Sequence, residues 1–179
     1  MRIMEVRPGY ELWRPNRESQ QNKTTKSLVA LVLFVSAGLL ALITLGGWER
    51  LQSQGIGAIT MGWAALYVLF GVMVMRWSRG ILPVSAALAM VMAIFALVSF
   101  QGWFDRSKEG LSSPALPEDL LGMLTLLVVL VQIGLIAITM YAFGQEWHVE
   151  EERPIAGGPA DTSGTPGPPE PGDAIANPA

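Results

Sequence analysis

The stretch Leu120–Phe143 reads LLGMLTLLVVLVQIGLIAITMYAF and carries no charged side chain. As a helix rising ~1.5 Å per residue it is about 36 Å long. That is enough to cross the ~30 Å hydrocarbon core of a bilayer with some tilt. Pro117, followed by Glu118 and Asp119, marks its start. Proline tolerates a missing donor in a first helical turn, and acids face the positive end of the helix dipole. Near the midpoint sits Gln132, the one side-chain amide in any apolar block of the chain.

Three shorter apolar blocks precede this one. Ser27–Leu45 holds Ala37 and Ala41, four apart and so on one helix face. Ile56–Met75 has Ala58, Gly62 and Ala65 at helical spacing and Tyr67 near its middle. Ile81–Phe100 carries Ala86, Ala89, Ala93 and Ala96, stepping by three, four and three. Small side chains let helix backbones approach closely in lipid, so this alanine seam predicts a packing face. Arg76–Gly80 is a tight turn and predicts an antiparallel hairpin of the second and third spans, with Gly80 suited to a helix C-terminus. The fold class expected is all-α: an integral membrane bundle of four transmembrane helices with short connections.

The chain of 179 residues divides accordingly. Residues 1–26 form a basic arm, and its motif Arg7-Pro8-Gly9-Tyr10-Glu11-Leu12-Trp13-Arg14-Pro15 suits an interfacial segment or a docking segment. Residues 27–144 form the transmembrane domain, with spans expected near 27–46, 56–76, 81–101 and 118–144. Trp48 and Trp103-Phe104 read as interfacial anchors. Residues 145–179 are acidic, then rich in proline and glycine. Such a segment lacks the apolar surface to offset ordering entropy, so a disordered tail is expected.

An even number of spans puts both termini on one side. That side holds Arg2, Arg7, Arg14, Arg17, Lys23, Lys26, Arg76, Arg79 and Arg153, against Arg50, Arg106 and Lys108 opposite. The positive-inside bias then predicts cytoplasmic termini, in the manner of a multi-pass protein of the bacterial inner (plasma) membrane. A basic lead, four short-looped spans and a Pro/Gly-rich tail resemble many small bacterial membrane proteins; the resemblance is compositional and implies no active site.

The chemistry classes narrow quickly. There is no cysteine and a single histidine, His148. Thiolate catalysis, disulfides and Fe–S ligation are excluded, and no metal or cofactor is expected. The apolar blocks contain no Asp, Glu, Lys or Arg. Proton relays and ion-coupled carriers normally place such groups inside the bundle. Nucleic acid is not an expected partner, since the basic residues bear on membrane orientation.

Two functions lead, with a membrane enzyme lacking a visible motif as the remaining reading. The favoured expectation is a non-enzymatic accessory, scaffold or assembly protein, acting through helix packing and its cytoplasmic termini. Its partners are membrane lipids and a membrane-protein partner or further copies of itself. The alternative is an oligomeric lipid or small-molecule binding or transport protein with a pocket near Gln132 and Tyr67. Those two residues lie at similar depths, and an amide in hydrocarbon needs a partner, so each is the other's first candidate contact. Thr125 and Thr139, seven residues either side of Gln132, extend the same face.

Overall fold

The computed structural model describes residues 10–51, 53–105, 115–147 and 149–154. Two compact units emerge within the chain. Among the described residues, the larger one, residues 14–149, holds five α-helices: α1 (Pro15–Glu18), α2 (Gln20–Gly46), α3 (Gln54–Met75), α4 (Ile81–Phe104) and α5 (Glu118–Gly144). Four of them, α2 to α5, are long and apolar enough to cross a membrane. Helix α2 starts ahead of the apolar run because Gln20–Lys26 continue the same helix as polar turns. Helix α3 begins at Ser53, whose hydroxyl accepts from the Ile56 amide at 3.3 Å.

Packing order differs from chain order. Helix α5 lies against α4 and α2, and α2 lies against α3, whereas α3 and α4 touch little. The hairpin expected from the tight turn is therefore corrected: α3 and α4 are neighbours in sequence and splay apart in space. Helices α4 and α5, joined by the longest connection, form the closest pair. The alanine seam belongs to α4, with Ala86, Ala89 and Ala96 buried and Ala93 half-buried. On the other flank, Gly71 lets α3 approach Phe34 of α2, where a Cβ would lie 2.7 Å from the ring.

The turn after α3 also corrects an expectation. The residue in the left-handed region is Trp77, at φ 64°, and Gly80 has φ −61°. Ser78 N–H donates to the Met73 carbonyl and Trp77 N–H to the Val74 carbonyl, at 3.1 and 2.9 Å. This is the Schellman arrangement with tryptophan where glycine is usual. A non-glycine residue there costs about 1–2 kcal/mol. The Trp77 ring offsets it by stacking edge-on with Trp147, centroids 5.3 Å apart, beneath the Lys26 ammonium at 4.2 Å.

Trp103 is buried, its ring packed onto Gly47. Leu116 N–H donates to the Gly46 carbonyl at 3.1 Å, which brings the start of α5 to the end of α2.

The second unit contains the one departure from helix among the described residues. Strands β1 (Tyr10–Trp13) and β2 (Glu151–Pro154) pair antiparallel, with Tyr10 opposite Pro154 and Trp13 opposite Glu151. The expectation of a chain with no strand is corrected here, and so is the placing of all residues from 145 onward in a disordered tail. Tyr, Leu and Trp suit a pleated surface. The partner strand lies at the other end of the sequence, where no hairpin signal could announce it. Residues 155–179, most of the expected tail, lie outside the described residues, as does His148.

Candidate functional site

The polar centre of the bundle is built by three helices. Gln132 on α5 is 0% exposed, as are Tyr67 on α3 and Ser36 on α2. The Tyr67 hydroxyl donates to Gln132 Oε1 at 2.7 Å. Gln132 Nε2 donates to Ser36 Oγ at 3.2 Å, and Ser36 Oγ donates to the Val32 carbonyl at 2.8 Å. The order is self-consistent. The Ser36 proton goes to its own helix backbone, so Ser36 can only accept from the amide, and the amide oxygen is left for the phenol.

The sequence pointed to Gln132 and Tyr67, and the structure brings them together. It adds Ser36, which the sequence offered only as a small residue in the first span. Thr125 and Thr139 lie on the same buried face, yet each donates to its own backbone, to Leu121 and Leu135, both at 2.7 Å. They make no link to Gln132. Ala86, Ala89 and Ala96 are buried on α4 and stand outside this network.

A buried hydroxyl stripped of its acceptor loses about 1–3 kcal/mol. Gln132→Leu keeps the volume, removes both hydrogen bonds and orphans the Tyr67 hydroxyl. It is expected to cost about 1–3 kcal/mol in detergent unfolding. Adding Tyr67→Phe removes the orphaned donor and should recover part of that loss. A double variant as unstable as the two single losses added together would contradict the link.

A second cluster closes the bundle end that carries the Arg76–Gly80 turn. Asn16 Nδ2 donates to the Glu146 carbonyl at 2.9 Å, and Arg17 Nε to the Trp147 carbonyl at 3.3 Å. Gln145 Nε2 donates to Thr25 Oγ1 at 3.0 Å, while Gln145 Oε1 accepts from Trp147 Nε1 at 3.1 Å. Arg79 donates twice to the Phe143 carbonyl, at 3.1 and 2.9 Å, and its guanidinium lies 4.2 Å from the Phe143 ring centroid. A cation at the last carbonyls of α5 complements the helix dipole. No sequence motif marks this clasp, because its members come from four separate segments.

The third feature is a cavity of about 440 Å³ at the opposite end of the bundle, in the cleft that α3 and α4 leave as they splay. Its walls are mainly apolar and include Trp63, Met92 and Phe95. Trp63 and Phe95 meet edge-on across the cleft, centroids 6.4 Å apart. Gln132 and Tyr67 bond each other, and the cavity lies about a turn away from them along α3 and α5. Trp63 Nε1 is buried with no acceptor in bonding geometry. No group of three or more metal-ligating side chains occurs among the described residues.

These features define a class: a bundle of four helices compatible with a membrane protein, cross-linked by one central amide. No family model, curated protein or solved structure matches the chain.

Proposed function

We propose that this is a multi-pass integral membrane protein with cytoplasmic termini, acting as a non-enzymatic accessory or assembly protein that packs against another membrane span. The observation that carries the reading is the outer face of α3. Ala58, Gly62 and Ala65, spaced by four and three, are exposed, and a Cβ added at Gly62 would meet nothing within 4 Å. An exposed stripe of small residues offers lipid tails little to fill and offers a second helix a close backbone approach. The central amide supports the same reading, because its hydrogen bonds hold the bundle together. The paired terminal strands support it as well, since they join the two arms into one body.

Gly62 gives the test. Gly62→Ile fills open space, so the fold should keep its stability within ~0.5 kcal/mol. Association should fall sharply. Native mass measurement in mild detergent should show the wild-type chain in a larger assembly and the variant outside it. A wild-type chain that runs as a monomer, or a variant that keeps its assembly, would count against the proposal. Orientation is testable separately, because the chain has no native cysteine. Ser53→Cys should react with a membrane-impermeant thiol reagent on intact cells, and Glu150→Cys only after lysis.

A further inference from the structure

We infer that the cleft between α3 and α4 is a binding site for a single hydrocarbon tail of a membrane lipid, taken from the leaflet opposite the termini. The inference rests on the membrane-spanning part of that proposal and not on its accessory part, which is carried by a different face of α3.

Placement comes first. The lining residues come from the second half of α2 (Leu40, Thr44), the first half of α3 (Ile56–Trp63), the second half of α4 (Met92–Trp103) and the first half of α5 (Thr125, Val128). All lie in the bundle half away from the Arg76–Gly80 turn. The cleft's edges are exposed, with Ile59 at 66% and Val98 at 75%. Its opening is therefore lateral, into the layer that acyl chains occupy. From Met92 to Gly102 the wall runs about 15 Å along α4, parallel to the direction in which such a chain hangs.

Size decides between occupants. Spread evenly over that length, the 440 Å³ cavity makes a slot about 6–9 Å wide, the upper figure adding the radius of a water molecule at each wall. A transmembrane helix is about 10–12 Å across with its side chains, so a span of a partner or of a second copy does not enter. One hydrocarbon chain does.

Chemistry decides against a polar occupant. The Thr60 and Thr125 hydroxyls donate to their own backbone, to Ile56 at 2.9 Å and Leu121 at 2.7 Å. The remaining wall is chiefly Leu, Ile, Val, Met, Phe and Trp. Water needs two to four polar partners and finds few in such a site. Left empty, the walls lose dispersion contacts on one side. Exchange of a tail from bilayer to cleft carries no hydrophobic gain, so filling this void is what holds the tail there.

The test uses the full chain in vesicles of phosphatidylcholine with a photoreactive diazirine midway along one acyl chain. Adducts are mapped by mass spectrometry. Met92 is only 7% exposed and lines the cleft, whereas Leu130 and Ile133 are 62% and 56% exposed on α5. Met92 should be labelled at least as strongly as those two. Val98→Trp and Ser99→Phe place bulk at the mouth, at exposed positions, and should each reduce the Met92 adduct several-fold while leaving Leu130 and Ile133 unchanged. Unchanged melting shows that the variants fold. Labelling of Leu130 and Ile133 with Met92 blank overturns the site. So does Met92 labelling that neither variant reduces. A disulfide formed between copies of Ser99→Cys, with Met92 blank, would assign the cleft to a second copy and overturn it too.

Discussion

Trp147→Ala is expected to lower the stability of the bundle by about 3–5 kcal/mol, the range for truncating a buried tryptophan. Trp147 is 1% exposed although it lies beyond the last helix. Its ring meets Trp77 edge-on, its Nε1 donates to Gln145 Oε1, and its carbonyl accepts from Arg17. Losing the ring removes apolar contacts and also the support under Trp77, whose left-handed backbone then has less to hold it. The damage should be graded along the bundle. Amide exchange should quicken around Asn16–Thr25 and Trp77–Gly80, the segments the clasp ties down, and less around Gln132. Trp147→Phe keeps an edge-on ring and loses only the indole bond to Gln145, so it should cost much less. A Trp147→Ala chain that melts like the native one would show that the clasp contributes nothing to stability.

Ala89→Leu is the second large effect. Ala89 is 0% exposed on α4, the helix packed most closely on α5. Extra methylenes in a filled interface force rotamers and backbones to move, at a cost of about 1–3 kcal/mol and occasionally more. Ala93, one turn on, is only half-buried. Ala93→Leu therefore has somewhere to go and should cost clearly less. Thermal unfolding in detergent compares the two. Equal losses would mean the seam is centred on Ala93, and no loss from either would place it in lipid.

That difference shows what the sequence could and could not say. The four helices were legible because apolar blocks of membrane-crossing length admit few other readings. The Tyr67–Gln132 pair was legible because a polar group in hydrocarbon must be paired, and depth along each span narrows the choice. Ser36 was not, since a serine in a span can equally satisfy itself on its own backbone, and Ser36 does both. The alanine seam was found by spacing, but spacing fixes a face only to within a turn, so Ala93 is half-buried where Met92 beside it is buried. The splay of α3 and α4 was hidden for a different reason. A short turn dictates which ends of two helices are close and leaves the far ends free. The strand pair was illegible because its halves lie at opposite ends of the chain and each is only four residues long.

The mismatch between chain order and packing order has a consequence for how the bundle is made. Helices α2 and α3 are made first and are packing partners, so they can associate as soon as both exist. Helix α4 follows, yet its main partner α5 comes after the longest connection. During synthesis, the seam of α4 and the pair Ser36 and Tyr67 wait for one late arrival that satisfies all of them. Assembly of this bundle is thus completed by its last span, with the most sequence-distant contacts formed at the end. A chain stopped after Phe104 should retain the α2–α3 pair and leave α4 unpacked and prone to degradation.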